Sequence, residues 1–314
     1  MKEVQSWAEE IIDAVERVIY GKRPIIEQIL VAILCRGHVL LEDVPGVGKT
    51  MLAHAVSRCL GVEYRQIQCT PDLLPSDVLG VSVYNPKSGD FTFKQGPVIT
   101  NFLLVDEINR ATPRTQSALL EAMAEGQVSI EGRSLSLPEP FFMMATQSPA
   151  ESEGTFPLPE VQKDRFFLSL RIGYPDRASE IRLVTNQRED AKNLEPLTAT
   201  TNGGTIVAMQ KKILSVHVDD AIKNYILGIV KQTRDDHRLA IGVSPRGSLA
   251  LFRGAQAAAA IRARDYVVPE DVKSIAAPVL LKRILIKSGY TAKGLTSQEV
   301  IDSILGTVEI PGYR

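Results

Sequence analysis

Cysteine is scarce in this chain: Cys35, Cys59 and Cys69 are three in 314 residues. An odd count with no metal-ligand spacing supplies neither a disulfide framework nor a cysteine metal site. The apolar helical surroundings of Cys35 and Cys59 mark them as small buried hydrophobes. Long apolar runs are missing too. None approaches the ~20 residues that cross a bilayer, and Met1 to Glu10 is charged and amphipathic rather than a secretory leader. The expectation is a cytoplasmic protein without a transmembrane segment. Nor is either charge in excess: 36 Lys and Arg against 37 Asp and Glu leave −1, with a pI near 6.5. That balance gives no whole-molecule attraction to nucleic acid or anionic lipid, though it leaves a local basic groove open. Internal repeats and low-complexity tracts are absent. At this length there is room for one large core or two domains.

What is present begins with Leu40-Leu41-Glu42-Asp43-Val44-Pro45-Gly46-Val47-Gly48-Lys49-Thr50, an apolar strand running into a glycine-rich turn. Gly46 and Gly48 let backbone N–H groups converge on an anion without a Cβ in the way. The following helix offers its positive N-terminus, Lys49 can reach the β- and γ-phosphates, and the Thr50 hydroxyl can ligate Mg²⁺. The usual G-x-x-x-x-G-K-[ST] pattern is broken at its first glycine, where Asp43 stands.

Asn101-Phe102-Leu103-Leu104-Val105-Asp106-Glu107 has the continuous apolar run of a strand covered on both faces. It ends in two carboxylates. Asp106 is placed to hold the metal's water shell beside Thr50, and Glu107 to polarise a water for in-line attack on the γ-phosphate. In isolation the pair would read as a solvated strand end. After a Gly-Lys-Thr loop and a second βα unit, the hydrolytic reading takes precedence.

Strands and helices alternate through the first part of the chain. Two helices (Val4 to Val18, and one through Ile25 and Ile33) precede a strand from His38 to Leu41. A helix from Lys49 to Leu60, strands Tyr64 to Cys69 and Phe102 to Val105, a helix Thr112 to Glu125 and a strand Phe141 to Thr146 follow. Such βα alternation implies a parallel sheet sandwiched by helices. Val81 to Tyr84 with Phe91 to Lys94, and Val128 to Ile130 with Leu135 to Leu137, read as hairpins projecting from that sheet. After Tyr174-Pro175 the texture becomes helical to the end, including a long helix from Pro269 to Ile286 and a flexible joint at Asn202-Gly203-Gly204. The expected division is residues 1–175, an α/β nucleotide-binding domain, and 176–314, an all-helical lid. Ser244 is a good N-cap and Pro245 suits the first helical position, so Arg246 falls in a first turn. A cation is slightly disfavoured there by the helix dipole and calls for another partner. His38, opening the strand into the loop, is read as structural; His54 is given no role.

The loop EDVPGVGKT, the run LLVDEINRATPRTQSALLEAMAEGQV, the segment EGTFPLPEVQKDRF and the later GVSPRGSLAL together resemble a MoxR-type AAA+ ATPase of the helix-2-insert class, related to magnesium chelatase motor subunits. The resemblance covers nearly the whole chain in matching order, and a non-glycine residue at position 43 is ordinary within it. It implies an Mg-ATP-hydrolysing homo-oligomer, usually a hexameric ring, with nucleotide between neighbouring subunits. Val44, Pro45, Gly46, Val47, Gly48, Lys49, Thr50 and Met51 would hold the phosphates, Ile19, Tyr20 and Gly21 would wall the adenine, and Thr50 with Asp106 would serve Mg²⁺. Arg165 matches the arginine finger, which without the resemblance would be a surface salt-bridge residue. Arg246 matches sensor 2. The sensor 1 asparagine is replaced by Ser148, which is shorter and lacks the amide's second arm. Slow hydrolysis is expected on that ground, with Ser148 acting through a water or Thr146 or Gln147 substituting. Asn109 and Arg110 either restrain Glu107 or serve capping and packing.

Three functions of different class follow. The first is a chaperone-like ATPase remodelling a partner protein, by analogy one with a von Willebrand factor A domain. The second is a nucleic-acid motor or loader, disfavoured because Lys87, Lys94 and Arg133 are isolated cations on the hairpins. The third is a slow or non-hydrolysing nucleotide-dependent scaffold.

Overall fold

The computed structural model describes residues 1–87, 89–130, 132–147, 154–185 and 197–312. In chain order the strands up to Leu170 are β1 (Val39–Glu42), β2 (Tyr64–Gln68), β3 (Gly80–Asn85), β4 (Asp90–Gln95), β5 (Phe102–Asp106), β6 (Gln127–Ile130), β7 (Arg133–Ser136), β8 (Phe142–Gln147) and β9 (Leu168–Leu170). Five of them build one parallel sheet in the order β2-β5-β8-β1-β9. Two helices, α1 (Lys2–Glu16) and α2 (Arg23–Leu34), precede β1; parallel neighbours require crossovers, and α3 (Lys49–Leu60), α4 (Pro75–Leu79), α5 (Pro113–Glu125) and α6 (Glu160–Lys163) lie between the strands in sequence.

Successive strand residues point to opposite faces, so each central strand feeds two cores. Val39, Leu41, Phe102, Leu104, Met144, Leu168 and Leu170 join α1 to α3 on one face. Leu40, Leu103, Val105, Met143 and Ala145 pack with α5 on the other. Each fully buried Leu or Ile there contributes about 1.5–3 kcal/mol. The expected parallel sheet and both hairpins are present. β3 pairs with β4 and β6 with β7 as separate antiparallel ribbons. The first ribbon carries a cross-strand Tyr84–Phe91 pair, ring centroids 5.5 Å apart, in the open.

The C-terminal part contains α7 (Arg177–Thr185), α8 (Gly203–Lys212), α9 (Asp220–Asp235), α10 (Pro245–Ile261), α11 (Pro269–Leu280), α12 (Ser288–Thr291) and α13 (Ser297–Thr307). The alanine-rich α10 is its hub. A side chain at Gly254 would meet Ile275 Cδ1 at 2.5 Å, so glycine is what admits α11 this close. The fully buried Asp271 carboxylate, in the first turn of α11, accepts from Arg262 (2.8 Å) and Arg264 (2.5 and 2.6 Å). Arg262 reaches on to Glu27 of α2 at 3.0 Å and so ties the two parts together.

Two expectations are corrected. The C-terminal part is not all-helical: β10 (Leu239–Ile241) and β11 (Leu285–Ile286) pair antiparallel. The long helix expected from Pro269 to Ile286 stops at Leu280, because the next residues are drawn to the sheet domain. Lys282 Nζ donates to Phe167 O at 2.9 Å and Arg283 Nη2 to Phe166 O at 2.7 Å, through a 3₁₀ turn over Leu281–Arg283. Helical periodicity carries no information about such distant carbonyls. β9 was not anticipated either, being three residues long.

Candidate active site

The phosphate loop leaves β1 and enters α3. Gly46 (φ +85°) and Gly48 (φ +87°) both adopt left-handed backbone, and a Cβ on either would meet nothing within 4 Å. The loop is therefore an open concavity whose shape, rather than crowding, demands glycine. Gly48 is the N-cap of α3 and has no side chain to cap it, so the first-turn amides are left for an anion. Lys49 Nζ rests on the carbonyl oxygen of Asp43 at 2.8 Å, and Thr50 is exposed.

Across the sheet, β5 brings Asp106 beside β8. Thr146 Oγ1 donates to Asp106 Oδ1 at 2.5 Å and accepts from the Glu107 N–H at 2.8 Å. Glu107 has φ +54°, a left-handed conformation that costs a side-chain residue about 1–2 kcal/mol. Its Oε2 accepts from Gln68 Nε2 at 3.0 Å and pairs with Arg110 Nη1 at 3.0 Å. Gln68 was missed in the sequence. The available signal was its place at the carboxyl end of β2, in register with Asp106. Cys69, behind the two carboxylates, has its thiol pushed up to about 12, by burial first and by Asp106 and Glu107 second. It is a neutral packing group.

Thr50 and Asp106 are oxygen donors of the kind Mg²⁺ takes. Among the described residues no three His, Cys, Asp or Glu side chains form a metal cage. A Mg²⁺ that arrives with phosphates needs no cage, only one or two protein oxygens. The residues present fit that ion and a polyphosphate.

In the base loop, Ile19 packs on the main core and Tyr20 lies under the Arg182 guanidinium of α7 at 4.1 Å. Gly21 (φ +68°) sits so close to α7 that a Cβ would stand 2.5 Å from Ser179 Oγ. Val44, Val47 and Met51 are half-buried, and Pro45 is exposed.

Arg165 is exposed and donates from Nη1 to Leu120 O of α5 at 3.2 Å. α5 covers the sheet face opposite α3, so this guanidinium is turned away from the chain's own phosphate helix. The adjoining Asp164 holds Arg283 Nε at 2.8 Å and accepts the Ser244 hydroxyl at 2.9 and 3.1 Å. Ser244 is thus the N-cap of α10 in position, yet its hydroxyl is spent on Asp164 rather than on the helix. Arg246, exposed in that first turn, makes no hydrogen bond or ion pair among the described residues. Ser148 lies outside the described residues. Of the two proposed substitutes, Thr146 holds both strand carboxylate residues, and Gln147 presents a buried Oε1 with no hydrogen-bond partner among the described residues.

A parallel sheet with the phosphate strand β1 between β8 and β9, a lysine-bearing loop and an Asp-Glu strand on the far side of β8 define an ATPase-type nucleotide-binding fold with a lid. The profile of the ATPase family associated with various cellular activities (AAA) matches residues 38–168, and that of the AAA lid domain matches residues 231–304. The chain is 45% identical to the uncharacterized protein YeaC of Bacillus subtilis over 96% of its own length and 94% of that protein's. It is 39% identical to the chaperone MoxR1 of Mycobacterium tuberculosis, over 96% and 82% of the two chains. The crystal structure of a candidate ATPase from Cytophaga hutchinsonii superposes with a TM-score of 0.89 at 36% identity, over 99% and 97%. The chain belongs to the MoxR-type AAA ATPases.

Proposed function

We propose that this protein hydrolyses Mg-ATP and uses the cycle to remodel a partner protein in the cytoplasm. Val44 to Met51 bind the phosphates, with Thr50 and Asp106 serving Mg²⁺, which supplies charge neutralisation on the phosphate oxygens when bound. Glu107 activates the attacking water once it leaves Gln68 and Arg110. Arg165 acts on a neighbouring subunit of a homo-oligomeric, hexameric ring, and Arg246 reads the nucleotide from the lid. Residues 1–175 and 176–314 act as the two moving bodies, and the base loop Ile19-Tyr20-Gly21 walls the adenine.

The observation that carries this reading is the open, uncapped loop before α3, led into by β1, whose neighbour β8 brings Thr146 to Asp106 and Glu107. For the partner, a von Willebrand factor A domain protein is the family analogy, supported by the kinship to a chaperone and by no feature of this site. A slow nucleotide-dependent scaffold is a second reading, favoured by the double restraint on Glu107. Calorimetry with ATP and a phosphate-release assay test both. Wild type should bind and turn over, Lys49→Ala should lose binding, and Glu107→Gln should bind with turnover about 10²–10⁴-fold lower. Full-strength binding by Lys49→Ala would remove the phosphate-loop assignment. Tight binding by wild type with no turnover would leave the scaffold.

A further inference from the structure

Asp43 occupies the position at which phosphate loops of this pattern carry glycine, yet its backbone is not among the left-handed residues, so glycine is not required there. Its side chain is fully engaged. Oδ1 accepts from the Val44 N–H at 2.8 Å, within the loop. Oδ2 accepts from the Gly173 N–H at 2.6 Å, beyond the end of β9. That carboxylate is a staple between the loop and the strap that leads into α7.

The strap is held from its other side as well. Lys22 Nζ donates to the carbonyl oxygens of Ile172, Gly173 and Tyr174 at 2.7, 3.1 and 2.9 Å. Lys22 directly follows Gly21, which abuts Ser179, and Tyr20 lies under Arg182. Hydrogen bonds therefore run from Lys49 through Asp43 and Gly173 to Lys22, and the close approach of Gly21 to Ser179 and the Arg182–Tyr20 contact carry the series on to α7.

We propose that Asp43 is a positioning residue that couples the phosphate loop to the strap 172–174 and to helix α7. The inference rests on the nucleotide reading above and adds the route by which that site addresses the lid. Lys49 donates to the Asp43 carbonyl, and the same ammonium is the group a bound phosphate draws away. The carbonyl then loses its partner within the residue whose carboxylate grips Gly173. Phosphate occupancy thereby changes the anchor of the strap, whereas a glycine at 43 would leave loop and strap independent.

Hydrogen–deuterium exchange on the full chain, with and without saturating ADP, tests this in wild type, Asp43→Gly and Asp43→Asn. Without nucleotide, Gly173 should exchange about tenfold faster in Asp43→Gly, with Asp43→Asn between, since its amide oxygen still accepts. With ADP, wild type should respond at both 46–50 and 172–185. Asp43→Gly should still respond at 46–50 and should lose the response at 172–185. Tryptophan fluorescence verifies the fold of each variant, because Trp7 Nε1 donates to Thr201 Oγ1 at 3.2 Å. An undiminished response at 172–185 in Asp43→Gly, or an unchanged Gly173 rate, overturns the coupling alone. Absence of any wild-type response at 46–50 overturns the nucleotide reading and the coupling together.

Discussion

His38 sits at the mouth of β1, and its ring joins three parts of the sheet domain. Nε2 donates to Met123 O at the end of α5 (3.0 Å), and Nδ1 accepts from the Met143 N–H on β8 (3.0 Å). Those bonds assign the neutral tautomer with its proton on Nε2. The ring is buried, and burial lowers its pKa from 6.5 to about 4, the Met123 hydrogen bond opposing in part. Between those values the unfolded chain binds a proton that the folded protein refuses. Stability is therefore complete above pH 6.5 and falls as pH drops, by about 1.4 kcal/mol per pH unit, or about 3 kcal/mol by pH 4. At pH 5 the loss is about 2 kcal/mol. Urea unfolding at pH 7.5 and 5.0, in wild type and His38→Gln, measures it. At pH 7.5 the variant should be about 1–3 kcal/mol less stable, because the Met143 amide and Met123 carbonyl lose matched partners. Its further loss on going to pH 5.0 should be smaller than wild type's by about 2 kcal/mol. Equal losses in the two proteins would refute the assignment of a neutral, structural His38.

The double substitution Gln68→Ala with Arg110→Ala removes two partners of the Glu107 carboxylate and should raise basal ATPase about fivefold, each bond to a charged group being modest at a part-exposed site; an unchanged rate in a phosphate-release assay would show that the pair does not gate hydrolysis. Arg165→Ala subunits titrated into wild type should poison activity in proportion, and strict additivity of the two populations would return Arg165 to a surface role. Ser148→Asn should quicken single-turnover hydrolysis by restoring the second amide arm, and an equal or slower rate would count against that serine as the slow element.

The phosphate loop and the β5 carboxylates were legible in the residues, because both depend on local geometry. A glycine pair before a helix and an apolar run ending in Asp-Glu mean the same thing wherever they are folded. The strands β1, β5 and β8 were legible for a related reason, since strands buried on both faces read as unbroken apolar runs. β9 was not, because three residues with a central serine carry no period. Ser169 in fact gives its hydroxyl to the Glu42 carboxylate of β1.

Residues acting through distant partners were the least visible. Gln68 touches Glu107 across 39 positions of sequence, and Asp43 touches Gly173 across 130. Asp164, between Arg165 and the turn of Arg246, likewise gains its meaning from Arg283, 119 residues away.

What the amino-acid order determined by itself was the alternation of strand and helix, the anion cradle and the two carboxylates, all set by spacing along the backbone. Tertiary structure alone decided which atoms restrain Glu107, where Lys49 rests, and that the last long helix breaks at Leu280. Hydrogen bonds and buried charges are satisfied by whatever the fold brings near, and nearness across a sheet is not written in the period of any segment.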